Sequence, residues 1–413
     1  MGPVLTSRGD TRRIAVIGGS IAGCAAALAA HRGGADHITV HERAAGDLAD
    51  RGVGLAVHEA RYAELAAAGF MDADMPWVRM TRRWWYTRDA RGGSPLGRRI
   101  GESPFPFRTY SWGPLWRELR LRLPDSVDFR SDATVREVRD GPGGATVDGE
   151  PYDLVVGADG HRSVVREAVC PGIRPEYAGY LAWRGAYPSD ALPDAHLWPE
   201  DVCAYVVFDG GHVVVYRIPD GAGGTRVNWV LYTAPPPGHA LPDDPDRQRV
   251  LTPELTAHLE DVLDRRFPPF WATLIRTTPV GERFIQPLHD FTAPRYAAGR
   301  LLLVGDAAAV ARPHTGGGAV KALQDASVLA TALASTDSWA DAGAAYDATR
   351  SATGRTMVDL GRSLGRALVQ QTPRWSEMDE AALARWWQRA DNSGAFGGSG
   401  LADRPGGGVR TRP

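Results

Sequence analysis

Residues near the N-terminus have the types and spacing of a turn that binds a dinucleotide. The stretch GGSIAG follows a short apolar run and precedes an alanine-rich segment, and a second apolar run ends at Glu42. In such a unit Gly18 permits a tight turn, a small residue at Ser20 (glycine in the usual pattern) lets backbone approach a pyrophosphate, and Gly23 lets a helix pack on the strand. The N–H groups at the helix start attract phosphates, and Glu42 can accept hydrogen bonds from ribose hydroxyls. The residues expected at the phosphates are Gly18, Ser20, Ile21, Ala22 and Gly23.

A second stretch that could do chemistry is RPHTGGGAVK, residues 312–321. Gly316, Gly317 and Gly318 let backbone N–H groups approach a ligand closely at the start of a helix. His314 is either a proton donor beside that ligand or an ordinary loop histidine. Lys321 is the one lysine among 47 basic side chains. Either a codon bias towards arginine left it by chance, or the site needs a compact charge that fixes the loop through Asp306 or a backbone carbonyl.

Two further acidic residues follow apolar runs that read as buried strands. Asp159 ends the run YDLVVGAD, and Asp306 ends the run RLLLVGD, directly after Gly305. In an open α/β sheet, ligands bind at the carboxyl ends of the strands. We therefore expect both acids at the same edge of a parallel sheet as the first glycine turn.

The middle of the chain has a different pattern. Residues 204–208, 212–217 and 226–232 are β-rich runs separated by glycine-rich turns, which predicts an antiparallel sheet. Four aromatic residues lie on it, and Tyr216 and Tyr232 could hydrogen-bond a phenol oxygen, although core packing is the more ordinary role for any single one of the four. These four residues are Tyr205, Tyr216, Trp229 and Tyr232.

Composition limits the partners and the compartment. A formal charge of −2 and a pI near 6.6 give no support for a nucleic-acid or membrane partner. The three cysteines lack zinc or redox spacing, so we expect no metal site and a reducing, cytoplasmic location. No apolar run approaches the roughly 20 residues that a membrane helix needs.

Taken together, these motifs resemble those of class A FAD-dependent aromatic monooxygenases with the p-hydroxybenzoate hydroxylase-type fold. The resemblance covers roughly residues 11–370 and includes GGSIAG, the DGxxSxVR run at Asp159 and the GDAA run at Asp306. The runs SWGPLWREL, YAGYLAWRG, VNWVLY and RPHTGGGAVKA are similar to those of the branch of 2,6-dihydroxypyridine 3-monooxygenase. The sequence departs from the commoner family pattern at Ala309, Gly317 and Val320, which replace His, Gln and Asn. Trp112 stands where many relatives have an arginine that contacts FAD, a role that Arg43, Arg51, Arg108 or Arg117 could take.

The resemblance implies a reaction and a set of reactants. NADH or NADPH would reduce FAD, O2 would form a C4a-hydroperoxyflavin, and a hydroxylated aromatic or N-heteroaromatic small molecule would be hydroxylated. His314, Tyr216 and Lys321 are the expected catalytic residues. An FAD-dependent oxidase or dehydrogenase of the same fold, without oxygen insertion, is the alternative. The chain would act as a monomer or a homodimer.

The resemblance also implies an α/β fold with a discontinuous, Rossmann-like FAD domain and an antiparallel-sheet substrate domain. The FAD domain is expected at 11–78, 107–171 and 283–372, and the substrate domain at 79–106 and 172–282. A C-terminal helix is expected at 373–395 and a flexible tail at 396–413. The implied cofactor-binding residues, beyond the phosphate turn, are Glu42, Arg43, Gly52, Val53, Val135, Asp159, Gly305, Asp306, Pro313, Gly316, Gly317 and Gly318.

Overall fold

The computed structural model describes residues 12–48, 54–89, 91–242 and 247–398. The strands in these ranges are β1 (Arg13–Ile17), β2 (His37–His41), β3 (Gly54–His58), β4 (Val78–Thr87), β5 (Arg98–Ser111), β6 (Val127–Arg130), β7 (Val138–Gly141), β8 (Gly144–Val147), β9 (Glu150–Tyr152), β10 (Leu154–Gly157), β11 (Glu176–Pro188), β12 (Val202–Phe208), β13 (Gly211–Pro219), β14 (Thr225–Thr233), β15 (Phe284–Thr292), β16 (Ala297–Ala298), β17 (Leu301–Leu303) and β18 (Ala309–Val310). The α-helices are α1 (Ile21–Arg32), α2 (Glu59–Ala67), α3 (Trp112–Leu121), α4 (Val164–Val169), α5 (Pro253–Arg266), α6 (Pro269–Arg276), α7 (Gly318–Ser335), α8 (Trp339–Gly365) and α9 (Glu380–Ala390).

One sheet has six strands in the order β16-β17-β10-β1-β2-β6 and is parallel except at β16. Its central strands are fully buried and apolar, as expected for a parallel sheet covered on both faces. Helix α1 packs on α7, and its alanines are buried along nearly its whole length because small side chains allow close approach. The carboxyl ends of β1, β10 and β17 lie at one edge, followed by the Gly18, Asp159 and Asp306 turns respectively.

The second sheet has nine strands in the order β18-β15-β11-β14-β13-β12-β4-β5-β3, and its pairs are antiparallel except for β12 with β4. Both of its faces are buried. One face packs on α5 and α6 around Trp183, Trp229 and Trp271, and the other packs on α8 and α9 around Trp85 and Trp375. A three-stranded sheet, β7-β8-β9, completes the described strands.

The expected α/β class, with a parallel sheet and an antiparallel second sheet, is confirmed. The strands do not follow the expected domain boundaries, because β3, β15 and β18 pair within the nine-stranded sheet although they fall inside the stretches assigned to the FAD domain. The division into domains itself stays a prediction. Within the four described ranges, no helix is both long enough and apolar enough to cross a membrane.

The first residues of the expected flexible tail contact the core, and the flexibility of the tail stays a prediction. Residues Phe396–Gly398 form a turn in which Gly397 has a left-handed backbone with φ of 67°, and the ring of Phe396 packs on Phe105 and Phe107 with centroids 6.2 and 5.8 Å away. The large aromatic ring in this glycine-rich stretch buries apolar surface against the core. The overall composition of the stretch did not predict this contact. The rest of the expected tail, residues 399–413, lies outside the described residues.

Candidate active site

A cavity of about 580 Å³ lies where the turns of the parallel sheet meet the nine-stranded sheet. Its wall includes the Asp306 turn and the loop that begins α7 on one side, and side chains of β12, β13 and β14 on the other. A cavity of this size suits a small ligand held beside a larger cofactor. Of the residues that the sequence singled out, the cavity is lined by Trp112, Tyr205, Tyr216, Tyr232, Asp306, Pro313, His314, Gly316, Gly317 and Gly318.

The glycine turn after β1 is so closely packed that no side chain fits at two of its positions. Gly18 has φ of +100°, and a Cβ there would lie 2.5 Å from the Ala158 carbonyl oxygen. A Cβ at Gly23 would lie 1.8 Å from the Gly18 oxygen. The first N–H groups of a helix have no intrahelical partner. In α1 the side chain of Ser20, which precedes the helix, does not cap them either. These N–H groups, which belong to Ile21 and its neighbours, fit a pyrophosphate.

Glu42 directly follows β2 beside this turn and is only 7% exposed. Its carboxylate accepts hydrogen bonds from the N–H groups of Gly19 and Ala44, both at 2.8 Å. Each carboxylate oxygen can accept a second bond, so the geometry leaves room for ribose hydroxyls. The expectation that Glu42 contacts a ribose therefore stays a prediction, and the structure adds that Glu42 also closes the turn.

The Asp306 turn connects the phosphate end to the cavity. Ala22 in α1 lies against this turn, since a Cβ at Gly305 would be 2.9 Å from the Ala22 Cβ. The Asp306 side chain is exposed to the cavity that it lines. An accessible carboxylate at this position fits hydroxyl donors of a cofactor chain that runs from the first turn towards α7.

A buried ion network supports the same turn from behind. Lys321, 3% exposed, places its Nζ 2.7 Å from Asp325 and donates to the Gly305 carbonyl at 3.2 Å. Asp325 also binds the Arg350 guanidinium at 2.6 Å and accepts from the Gly305 N–H at 2.9 Å. Burial alone would lower the pKa of Lys321, but Asp325 and Tyr296 raise it on balance, so the lysine is charged.

This network revises the expected role of Lys321. Of the two partners expected for Lys321, the backbone carbonyl is present, since the lysine Nζ donates to Gly305, but Asp306 makes no hydrogen bond or ion pair with it. Lys321 does not line the cavity, so we assign it to positioning of the turn rather than to catalysis.

The loop before α7 presents open backbone to the cavity. Gly316 has φ of +64°, and no protein atom lies within 4 Å of a Cβ built on Gly316 or on Gly318. Gly317 differs, because its Cβ would meet the Met357 methyl at 2.5 Å. The N–H groups at the start of α7 therefore face space that side chains would otherwise fill. This arrangement fits a flat, electron-accepting ring whose reduction adds negative charge.

His314 and His212 stand between this loop and the sheet. The Nε2 atom of His314 lies 2.7 Å from the Tyr180 hydroxyl, while its Nδ1 is buried without a partner. Burial, with charge repulsion from His212 and Arg312, holds the pKa of His314 well below its usual range. His212 is fully buried, and neither ring nitrogen makes a hydrogen bond of good geometry, although the Leu368 backbone lies beside the ring. Burial lowers the pKa of His212 to about 3. Its ring stacks on Tyr232 at 4.9 Å.

Strand alternation explains which expected aromatic residues reach the cavity. Tyr232 and Tyr216 project into it, but the Trp229 side chain points to the opposite face, where its Nε1 donates to Thr278 at 2.7 Å. Trp229 is therefore a core residue. His212 was missed by the sequence reasoning, although its even spacing from Tyr216 on β13 places both on one face of a strand.

Other predicted cofactor residues have mixed positions. Asp159 caps α4 through a 2.7 Å bond from the Val164 N–H, and its second oxygen is buried without a partner. Burial raises the pKa of Asp159. Arg43 is exposed and Val135 is half-buried against the core of the parallel sheet. Gly52 and Val53 lie outside the described residues.

Trp112 lines the cavity, and its ring stacks on that of Trp116 with the ring planes 3° apart. The Nε1–H of Trp116 donates a hydrogen bond of 2.8 Å to the Gly19 carbonyl. Of the arginines that could replace the usual cofactor contact, Arg108 binds Glu59 at 3.1 Å and stacks on Tyr62. Arg117 and Asp47 form an exposed ion pair. Arg51 lies outside the described ranges.

Comparison with known proteins decides the family. A family model described as "FAD binding domain" matches residues 128–360. The chain is 30% identical over 350 residues to 2,6-dihydroxypyridine 3-monooxygenase of Paenarthrobacter nicotinovorans, with 78% of this chain and 82% of the relative covered. The chain belongs to the FAD-dependent aromatic monooxygenases.

Two further comparisons place this monooxygenase among enzymes of similar length. The chain is 28% identical over 336 residues to 6-hydroxynicotinate 3-monooxygenase of Pseudomonas fluorescens, with 78% and 82% of the two chains covered. The solved structure of 2,6-dihydroxypyridine-3-hydroxylase from Arthrobacter nicotinovorans superposes with a TM-score of 0.76 at 26% identity, covering 89% of this chain and 95% of that one. FAD is thus the cofactor of this monooxygenase, as expected from the sequence.

Proposed function

We propose that this monooxygenase uses NADH or NADPH and O2 to hydroxylate a small hydroxylated aromatic or N-heteroaromatic ring. One observation carries the proposal: a single cavity joins the open glycine loop of α7 to a wall of tyrosine and histidine side chains. The names of the relatives support it, since they describe hydroxylation of a dihydroxypyridine and of a hydroxynicotinate.

FAD, when bound, would supply electron transfer and oxygen activation, and the chain would supply binding and orientation. We propose that the Gly18–Gly23 turn holds the pyrophosphate, that Asp306 holds the ribityl hydroxyls, and that Gly316–Gly318 contact the flavin ring. The Gly18–Gly23 turn and the Gly316–Gly318 loop present N–H groups at helix starts, and Asp306 between them presents an accessible carboxylate to the cavity. Lys321 and Asp325 keep the Asp306 turn in place through both backbone groups of Gly305.

His314 is suited to hold or transfer a proton beside the flavin loop. The Tyr180 hydroxyl occupies its Nε2, which leaves Nδ1 as the nitrogen free to exchange a proton with a ligand in the cavity. Because its pKa is depressed, His314 is neutral at physiological pH and can donate or accept a hydrogen bond at Nδ1 according to its tautomer. A proton that it takes up makes the ring a buried cation, which burial disfavours, so the proton is passed on readily.

The sheet wall is suited to orient a hydroxylated ring. Tyr216 and Tyr232 offer phenolic hydroxyls, and His212 offers a ring nitrogen in addition to the one that faces the Leu368 backbone. Buried polar atoms without partners are costly unless a ligand pairs with them. A substrate with ring hydroxyl or ring nitrogen groups would provide such partners, and the apolar residues around it, such as Val230 and Leu368, would exclude water.

The alternative is an oxidase or dehydrogenase on the same scaffold, which would oxidise the substrate without inserting oxygen. The test is NADH and NADPH oxidation by the purified FAD-loaded protein against a panel of phenols, hydroxypyridines and hydroxybenzoates, with product masses recorded. We expect at least one compound to accelerate nucleotide oxidation and to gain one oxygen atom. Oxidised product without an added oxygen would favour the alternative instead.

A further inference from the structure

Arg83 is a buried cation that makes no close ion pair with a carboxylate of the described residues, and Asp391 acts on it only from a longer distance. Arg83 lies on β4, is 4% exposed and forms no ion pair within 4 Å. Its Nε donates to the neutral hydroxyl of Ser103 at 3.2 Å, and its Nη1 is buried without a partner. A buried charge without a counter-charge destabilises the folded protein, and a ligand group could supply that counter-charge.

The guanidinium is enclosed by aromatic rings rather than by acids. Its central carbon lies 4.0 to 5.9 Å from the centroids of five rings, and three of these rings also line the active-site cavity. The cavity-lining rings are Phe105, Tyr205 and Phe396, and the other two are Trp85 and Trp387. The electron-rich faces of the rings attract the cation but do not neutralise it.

The sheet places this charge in the row of side chains that forms the cavity wall. Arg83 is in direct register with Cys203 on the parallel neighbour β12, and both Cys203 and Tyr216 line the cavity. The titratable groups that face Arg83 are Tyr205, Cys203 and the half-buried Asp391. Burial raises the pKa values of Tyr205 and Cys203, so both stay uncharged beside the guanidinium, and Asp391 acts on it from beyond ion-pair distance.

We propose that Arg83 is a specificity-determining residue, whose unneutralised charge makes the cavity select an aromatic substrate that carries an anionic oxygen at the Cys203–Tyr205 end. The anionic oxygen is either a carboxylate or an ionised ring hydroxyl, because both present the same charge. Arg83 acts through the wall, behind the rings that line the cavity, and not by direct contact. This inference rests on the proposed function for the kind of ring, but the charge of the ligand is a separate claim.

Arg217 offers a matched control on the same sheet. It is 3% exposed, lacks a carboxylate partner and stacks on Trp198 at 4.1 Å, but its nitrogens donate to the carbonyls of Pro199 and Trp198. Two backbone carbonyls and the more distant Glu200 thus balance its charge away from the cavity, although its Nε has no hydrogen-bond partner. Arg217→Met removes a buried arginine of structural role, whereas Arg83→Met removes the arginine whose charge is proposed to attract the anionic oxygen of a substrate.

The test titrates the FAD-loaded wild type, Arg83→Met, Arg83→Lys and Arg217→Met with 6-hydroxynicotinate and its neutral amide, followed by the flavin absorbance. A second arm titrates 2,6-dihydroxypyridine across pH, which detects selection for an ionised ring hydroxyl. We expect wild type to favour the anionic form in at least one arm by roughly ten- to hundredfold, as for one charge felt at moderate distance inside a protein. Arg83→Met should abolish this preference, and Arg83→Lys and Arg217→Met should retain it.

Thermal unfolding of the same four proteins without ligand supplies an independent readout. Arg83→Met should melt no lower than wild type, because it removes an uncompensated charge, while Arg217→Met should melt lower. An unchanged preference in Arg83→Met, or a loss of stability equal to that of Arg217→Met, would overturn the proposal. If neutral and anionic probes bind wild type equally, this inference fails and the proposed function stands; if no probe perturbs the flavin spectrum, both fail.

Discussion

Replacing Lys321 by methionine removes one of the two cations that neutralise Asp325, together with the Nζ–H donor to the Gly305 carbonyl. Loss of one partner from a buried ion pair costs about 3–5 kcal/mol when the other charge is left unpaired. Asp325 keeps Arg350 at 2.6 Å and the Gly305 N–H at 2.9 Å, so the lower limit applies here. With a melting entropy of about 2.1 cal/mol/K per residue over 413 residues, a loss of about 3 kcal/mol lowers the Tm by about 3–4 °C.

The same substitution should weaken the cofactor site. The Gly305 carbonyl loses its anchor, the adjacent Asp306 carboxylate is less well positioned, and we expect FAD to bind roughly tenfold more weakly, as for one lost charge-assisted bond. The midpoint potential of bound flavin should also fall, because a positive charge that favours the added electrons is gone. Lys321→Arg should impair FAD binding too, since a planar guanidinium does not fit a 3% exposed site shaped for an ammonium.

Arg350→Met is the matched control, because Arg350 binds the other oxygen of Asp325 and donates no bond to Gly305. It should lose comparable stability in urea or thermal unfolding but retain more of the FAD affinity. Equilibrium FAD titration of the apoproteins and potentiometry of the reloaded proteins separate the two effects. If Lys321→Met and Lys321→Arg match wild type in Tm, FAD affinity and potential, the positioning argument is refuted and the lone lysine reflects codon usage.

Four other substitutions test separate parts of the site. Asp306→Ala should lose most of its FAD on purification, and full occupancy by absorbance would show that the ribityl chain lies elsewhere. Gly318→Ala should leave the apoprotein as stable or about 1 kcal/mol more stable, because alanine favours a helix, yet weaken FAD binding by filling the open space; unchanged FAD affinity would contradict the flavin placement. His314→Gln should retain FAD but slow turnover by roughly 10²–10⁴-fold, as for loss of a general acid or base; wild-type turnover would return His314 to a structural role. His212 has a folded-state pKa of about 3, below its ordinary 6.5, so its contribution to stability is present above about pH 6.5 and is lost as pH falls towards 3, at about 1.4 kcal/mol per pH unit. His212→Phe should reduce this slope by about one proton in denaturation measured across that range, and an equal slope would show that His212 is not buried as a neutral ring.

The cofactor path was predictable from the sequence because its signals are local. The glycine turn at Gly18, the acid at Asp306 and the glycines at Gly316 each follow a strand or start a helix, and the parallel sheet necessarily brings strand ends to one edge. Only one part of the ion network around Lys321 could be predicted from local sequence. Asp325 lies four residues further on the same helix, whereas Arg350 reaches it from α8, a packing that no local pattern specifies.

The substrate side was less predictable because it depends on strand register and on long-range packing. Alternation fixes which residues share a face, but not which face meets the cavity, so Trp229 and Tyr232 could not be told apart before β14 was placed between β11 and β13. Phe396 reaches the cavity from a glycine-rich stretch more than 280 residues away in sequence from the Phe107 ring that it covers. The lack of an acid beside Arg83 is likewise visible only once the fold brings its neighbours together.

The central claim, that this chain inserts an oxygen atom into an aromatic ring, is tested most directly by isotope labelling. The FAD-loaded protein is supplied with reduced nicotinamide nucleotide, the most effective compound of the panel and ¹⁸O2, and the product is weighed by mass spectrometry. The account predicts one ¹⁸O atom in the ring-hydroxylated product from labelled O2 and none from labelled water. Consumption of nucleotide and O2 with an unlabelled oxidised product would contradict it and identify an oxidase or dehydrogenase on the same fold.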